Sequence, residues 1–581
     1  MSAFLQLALG DTLTRLVLFP LAAALPLALF PGGKKSAEES DETGAEAGFR
    51  GVKLYLLGAS LVELALIVLF AFRRLGPDGA FAFARDLVTA PGGEGAPLPW
   101  IPRFGINWDL AADGISLPLA LLTGLLLPLV ILGSWRGITE RWRSYGASLL
   151  VLTSGILGAL FAFDLFLFYV FWEVMLIPMY LVIGVWGGKR RIYAAVKFFL
   201  FTMAGSLLML VALLWMAGTY AAQAGEWSFA YLDWLRLDLP LGPQLWLFGG
   251  FALAFLIKVP VFPLHTWLPD AHVEAPTGGS VILAGVMLKL GTYGYLRFAM
   301  PLFPHASDEL TPWVLAVSLI GILYGALVAW VQEDIKKLVA YSSVAHLGFV
   351  MLGLAAADLL AWQGAHLQMV NHGLSTGALF LLVGMLYDRR HTRCFADFGG
   401  LARVMPVFAF FLVFSALASV GLPALNGFVG ELMILLGAYR SFGGWAIVAT
   451  FGVVLAAVYL FKMLDRTLWG PLENEENRGL RDLDAREIIA LVPLAALMLA
   501  IGVAPGVFLR PSEPALEATL ERYERRLAAP ATATVDLVPA VGTRPMIDRR
   551  IQPLGAVPTA ETAGEGGTEP IAEPTGEEES R

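Results

Sequence analysis

Cysteine is nearly missing from this chain of 581 residues, Cys394 being the single one. One thiol excludes an internal disulfide framework, and one thiolate cannot ligate an iron–sulfur cluster or a structural zinc. Electrons are therefore not expected to pass through the chain. Charge is scarce as well, at 15% of residues, and the seven histidines lack the cysteine partners or paired Asp/Glu spacing of a metal site. No phosphate-binding loop is present, since PGGKKS (31–36) lacks the upstream glycine of the Gly-x-x-x-x-Gly-Lys pattern. The formal net charge of −8 gathers in the acidic segment 36–48 and in the tail 562–580, so it describes the periphery rather than the core. Nucleic acid is not an expected partner.

What is abundant is apolar. Hydrophobic residues make up 57% of the chain, with 37 Phe and 16 Trp, and the mean hydropathy is +0.69. Such a balance excludes a soluble globular enzyme and gives an all-α polytopic membrane protein whose surroundings are the lipid bilayer. Apolar runs of about 20 residues fall near 13–31, 52–72, 111–134, 146–164, 165–187, 194–217, 245–263, 279–300, 312–331, 337–356, 365–387, 405–437, 445–468 and 487–509. That is about fourteen spans. The first has no basic segment ahead of it and no small-residue cleavage site behind it, so it reads as a retained helix rather than a signal peptide.

Lysine and arginine set the orientation. Loops leaving odd-numbered spans hold nineteen of them, among them Arg136, Lys189, Lys336 and Arg389, against seven in loops leaving even-numbered spans. The positive-inside rule then places the odd exits in the cytoplasm and both termini outside. Beyond Arg510 a short amphipathic helix over 513–528 is expected, followed by a Pro-, Ala-, Thr- and Glu-rich disordered tail.

Against this apolar background a few ionisable residues stand out: Glu173, Lys258, Lys289, His346, His372, Glu431 and Lys462. Glu173, Lys258, Lys289 and Glu431 alone would cost roughly 10 kcal/mol if each were inserted unaided, so they must face one another or water. Lys197 and Lys462 lie near span ends, where a lysine reaches the interface along its own stem. His265 and His272 fall in a proline-rich stretch, where structural hydrogen bonding is the expectation. Pro260 and Pro263 must break span 7 just after Lys258. Gly421, Pro423, Asn426 and Gly427 interrupt span 12 just before Glu431. Two interrupted spans five apart suggest inverted repeats of spans 4–8 and 9–13 with ion sites at the breaks. The resulting division is 1–145 for spans 1–3, 146–300 and 301–470 for the repeats, 471–510 for the last span and 511–581 for an extracytoplasmic tail.

The stretches FWEVMLIPMYLVIGVWGG, KVPVFPLHTWLPDAHVEAPTGGSVILAGVMLKLGTYG, EDIKKLVAYSSVAHLGF and NHGLSTGALFLLVGMLYDR resemble the antiporter-like subunits of proton-pumping NADH:quinone oxidoreductase, respiratory complex I. The resemblance covers about 100–470, and Glu431 in span 12, where the sister types L and N usually carry lysine, points to the subunit M type. It implies that Glu173 and Lys258 form a charge pair near a cytoplasmic half-channel. Lys289, His346 and His372 would form a hydrated central relay, with Glu431 the terminal group passing protons outward. It further implies a proton translocase in a bacterial inner membrane with subunits L, N and K as neighbours, where FMN, iron–sulfur clusters, NADH and quinone belong to other subunits. At a separation of about 7 Å and an effective dielectric near 20, the attraction in the first pair would be roughly 2.4 kcal/mol, enough for a switch. Two other classes share part of this pattern: a subunit of an Mrp-type cation/proton antiporter or membrane-bound hydrogenase, and a membrane scaffold with inert buried charges.

Overall fold

The computed structural model describes residues 12–29, 42–89, 95–530 and 536–537. Among these, twelve helices are long and apolar enough to cross a membrane. The first and twelfth expected runs are filled by shorter apolar helices, Leu13–Leu29 and Pro406–Val420. The second span starts earlier than its apolar run, because the helix Glu42–Arg74 reaches back into the acidic segment 36–48. The tail beyond 537 lies outside the described residues.

Burial sorts the helices into a centre and a rim. In Thr277–Leu302 the whole apolar window is buried, and in Ile335–Ala355 and Leu359–Arg390 the figure is 94%. Arg191–Ala224 and Gly444–Leu468 bury only 39% of theirs, and Ala485–Val503 only 33%. The three central helices are those carrying Lys289, His346 and His372, so these side chains are surrounded by protein, while the rim helices turn their apolar faces outward.

Side-chain oxygens cap several of these helices at their starts. Asp164, Asp334 and Asp358 each accept from backbone N–H groups in the first turn that follows, and Asp484 does so within a reciprocal capping box with Glu487.

Both expected breaks are present, and a third accompanies them. Leu241–Lys258 stops at Lys258, and helix resumes only at Trp267–Glu274. Trp267 Nε1 donates to the Ile257 carbonyl at 2.9 Å, satisfying an acceptor that the break frees. Pro406–Val420 ends on Gly421, whose φ of 84° favours a residue without Cβ, and Asn426–Phe442 follows. The third break divides Leu165–Val174 from Leu176–Trp186 at Met175, two residues after Glu173. Pro178 explains it, since it removes a donor and clashes with the carbonyl one turn earlier.

The central helix Thr277–Leu302 also departs from α geometry, with π-helical turns at Leu283–Met287 and Tyr295–Ala299. Leu288 and Met300 donate to carbonyls five residues back, Leu283 and Tyr295. Wide turns of this kind are frequent at functional sites, and Lys289 follows the first immediately.

After the last span the chain folds back over the end of the bundle that holds few basic residues. The helix Glu513–Ala528 is anchored there by Arg526, which donates to the carbonyls of Pro301 and Leu237 at 2.9 and 2.7 Å. Asp536–Leu537 then pairs antiparallel with Leu237–Asp238.

Candidate functional site

The six residues to which the resemblance gives a part in proton transfer, Glu173, Lys258, Lys289, His346, His372 and Glu431, fall into two groups. The first is built where two breaks meet. Lys258 is the last residue of its helix, 1% exposed, with its ammonium 4.6 Å from the ring centroid of Trp172. Glu173, the neighbour of Trp172, lies beside Tyr169 and Ser206 and within electrostatic reach of Lys258. No ion pair closer than 4.0 Å joins the two among the described residues, and neither Lys258 Nζ nor Glu173 Oε1 has a hydrogen-bond partner there. The pair is thus near but unclosed, the ammonium resting on an indole face. Gly291 brings the Lys289 helix against the same helix end: a Cβ there would sit 2.7 Å from the Phe255 carbonyl oxygen and 3.0 Å from the Val259 nitrogen.

The second group is continuous. Lys289 donates to the Ala284 carbonyl and to His372 Nδ1, the latter at 2.6 Å. The rings of His372 and His346 stand with centroids 5.8 Å apart. His346 donates through Nδ1 to Glu431 Oε1 at 2.9 Å, and Tyr459 O–H donates to His346 Nε2 at 3.1 Å. Glu431 Oε1 also accepts from Gln368 Nε2 at 3.0 Å. Behind it, Asn371 donates to Gln368 Oε1 and to the Asn426 carbonyl, so the break in span 12 is tied to the central helix Leu359–Arg390. Side chains 346 and 431 come from helices 85 positions apart in the sequence and meet only through tertiary packing.

Gln368, Asn371 and Tyr459 belong to this network and were not singled out from the sequence. The first two have a readable signal. Gln368, Asn371, His372 and Ser375 recur at helical spacing in an apolar span, which marks a polar face. Tyr459 carries none that separates it from an ordinary core tyrosine.

Lys197 and Lys462 are anchored. Lys197 pairs with Asp270 at 2.7 Å, and Lys462 donates to the carbonyls of Trp330 and Gln332. His272 differs from the expectation of structural hydrogen bonding. It is wholly buried, stacks on Phe380 at 4.8 Å, and neither ring nitrogen has a partner among the described residues. Both Lys336 and Lys289 act on its charge. Lys336 lines a cavity of about 630 Å³ at the basic end of the bundle, together with Lys189, Glu274, Asp388, His391 and Arg393. His272 is therefore within electrostatic reach of both a lysine that lines that cavity and the central lysine. His265 likewise leaves Nδ1 unpartnered among the described residues, its ring stacked on Phe262. No cluster of three or more His, Cys, Asp or Glu suited to a metal occurs among the described residues.

A family model described as NADH:quinone oxidoreductase/Mrp antiporter, TM, matches residues 162–456, which hold both groups. NADH-quinone oxidoreductase subunit M of Rhodobacter capsulatus is 41% identical over 537 residues, covering 90% of this chain and 99% of the relative. The chain belongs to the subunit M family of NADH-quinone oxidoreductase. Subunit M of Pseudomonas aeruginosa is 47% identical over 431 residues, 72% of this chain and 84% of that one, and subunit M of Escherichia coli K12 is 44% identical over 425 residues at the same coverage. Among solved structures, a chain of respiratory complex I from Thermus thermophilus with bound NADH superposes with a TM-score of 0.76 at 31% identity, covering 88% of this chain and all of that one. A chain of the Mrp complex from Dietzia shares the fold, with a TM-score of 0.73 at 20% identity over 89% of this chain and 99% of that one. As a subunit M family member, this chain is a proton-antiporter-like membrane subunit, and its relatives are parts of an enzyme complex.

Proposed function

We propose that this chain carries protons across the membrane, driven by quinone reduction elsewhere in a complex I assembly. The observation that carries the reading is the buried polar file Lys289–His372–His346–Glu431, with ring and hydrogen-bond contacts at every step. Each member can gain or lose one proton, and no member is far enough from the next to need more than a bridging water. Glu173 and Lys258 form the switch that precedes the file. Closing the pair holds a proton on the lysine, and opening it leaves a buried ammonium without a counter-charge and favours the neutral amine. His272 connects the basic-end cavity to Lys289.

In this reading the spans number fourteen, Leu13–Leu29 counting as the first and Pro406–Val420 with Asn426–Phe442 as the twelfth. Spans 4–8 and 9–13 form inverted repeats, and both termini lie outside a bacterial inner membrane. Subunits L, N and K are the neighbours. FMN, iron–sulfur clusters, NADH and quinone sit in other subunits, which suits a chain with one exposed cysteine. Purification of the native complex from membranes, with identification of the co-purifying chains, tests the assembly: redox subunits support it, and a short antiporter assembly without them refutes it. Proton uptake unchanged by Lys258→Ala in an intact complex would make the buried charges inert.

A further inference from the structure

The switch at Glu173 and Lys258 has a third member. Lys258 Nζ is buried without a hydrogen-bond partner among the described residues and lies 4.6 Å from the centroid of the Trp172 ring. The carbonyls at its own helix end are already engaged. Phe255 accepts from Val259 N–H at 2.8 Å, Leu256 from Val261 N–H at 3.0 Å and Ile257 from Trp267 Nε1 at 2.9 Å. Glu173 is the charged side chain that acts on Lys258, yet no ion pair within 4.0 Å joins the two among the described residues. In this conformation the positive charge is met by the quadrupole of an indole rather than by a carboxylate.

The indole itself is fixed by other rings. Trp172 meets Phe168 at 5.5 Å and Phe255 at 5.6 Å between centroids, and Phe168 meets Phe255 at 6.3 Å and Phe298 at 4.8 Å. These tilted and edge-on contacts are the arrangements aromatic pairs prefer. Phe255 is in turn pinned against the central helix, where a Cβ at Gly294 would overlap its ring. The aromatic box thus joins the helix of Glu173 and the helix of Lys258 to the helix of Lys289. The lysine is the movable part, a point charge on a flexible four-carbon stem.

We propose that Trp172 is the open-state seat of the switch: the Lys258 ammonium swings between the Glu173 carboxylate and the Trp172 face, and the indole lets the pair part before the proton has left. The inference rests on the proton-carrying reading above and adds one residue and one intermediate to it. The proton stays on Nζ during the swing, and no bond forms or breaks on the ring. The seat is selective, since a ring quadrupole attracts an ammonium and has little hold on the neutral amine. It therefore releases the side chain once the proton has gone on towards Lys289. Without the seat, parting the pair would strand a bare charge in the bilayer core, and the switch would stay shut. A tryptophan that only fills the core would be indifferent to the electron density of its ring.

The test uses the whole complex in sealed membrane vesicles, with mono-, di- and trifluorinated tryptophan placed at position 172 by nonsense suppression. Fluorine changes the shape of the ring little and withdraws electron density from its face stepwise. Proton delivery coupled to quinone reduction should slow with each added fluorine, by about threefold to thirtyfold across the series. Trp172→Phe, a weaker seat, should keep part of the rate, and Trp172→Leu, with no ring, should keep less. The same series at Trp362, wholly buried and bonded to the Leu354 carbonyl, should be flat. A flat series at Trp172, or an equal decline at Trp362, would overturn the seat. Lys258→Ala separates the two levels: normal pumping there by an intact complex defeats the switch itself, whereas a defect there beside a flat series at Trp172 defeats only the seat.

Discussion

Replacing Glu431 with glutamine alters one property of the relay and keeps its shape. The amide fills the same volume and its oxygen can still accept from Gln368, so the network holding the span 12 break to the central helix survives. What disappears is the negative charge 2.9 Å from His346 Nδ1. With an effective dielectric near 20, a protonated His346 gains about 6 kcal/mol from that carboxylate. Retaining only a quarter of this after solvation, ~1.4 kcal/mol, still corresponds to a tenfold change in rate. Glu431→Gln should therefore slow proton passage at least about tenfold, while Glu431→Asp, which restores the charge at a longer reach, should recover part of it. The assay is dye-reported acidification of vesicles against quinone reduction in the same preparation. Complex integrity is scored by reduction of an artificial acceptor that bypasses the membrane arm. Wild-type acidification by an assembled Glu431→Gln complex would remove Glu431 from the path and with it the reasoning from the file of contacts.

Three further outcomes follow from the geometry. Glu173→Ala and Lys258→Ala should each abolish proton loading, and the double substitution should cost little more than either alone, because coupled groups are not additive; fully additive losses would show two independent sites. Gly291→Ala should lower the thermal stability of the assembled complex by about 1–3 kcal/mol, since its Cβ would meet backbone atoms of 255 and 259 as well as the Val259 side chain; an unchanged melting profile would mean the two helix ends are not in contact. A reporter fused after Arg510 should read as extracytoplasmic and one inserted near Lys189 as cytoplasmic; the opposite pattern would reverse the direction of transport.

The sequence exposed the parts of this molecule that depend on local chemistry. Apolar run length located the spans, and Pro260, Pro263, Gly421 and Pro423 located two of the three breaks. The third, beside Glu173, had its signal in Pro178 but lay inside an uninterrupted apolar run. Charged residues that cost free energy in a bilayer announced themselves, which is why Lys289, His346, His372 and Glu431 were legible as candidates. Their contact with one another was not, because it depends on how the helices Thr277–Leu302, Ile335–Ala355, Leu359–Arg390 and Asn426–Phe442 pack. Tyr459, whose hydroxyl completes the His346 environment, is indistinguishable in sequence from a core aromatic. The imidazole of His272, without a hydrogen-bond partner among the described residues, was unreadable for the same reason, since partnering is decided only in three dimensions.

The π turn before Lys289 can be regarded as one surplus residue stored inside a helix. Each residue of an α-helix advances the side-chain direction by about 100°, and the wide turn absorbs one such step, so the helix on either side of it keeps its phase. Removing any one residue between Leu283 and Met287 would let the backbone relax into ordinary α geometry with all its hydrogen bonds made. The angular position of Lys289 relative to the preceding helix would be nearly unchanged, because the residue lost is the one the wide turn had absorbed, and its ammonium would still face His372. The segment thus tolerates the loss of one residue better than the α-helical turn before it, Thr277–Ile282, where the same deletion would rotate Lys289 by about 100° and part it from His372.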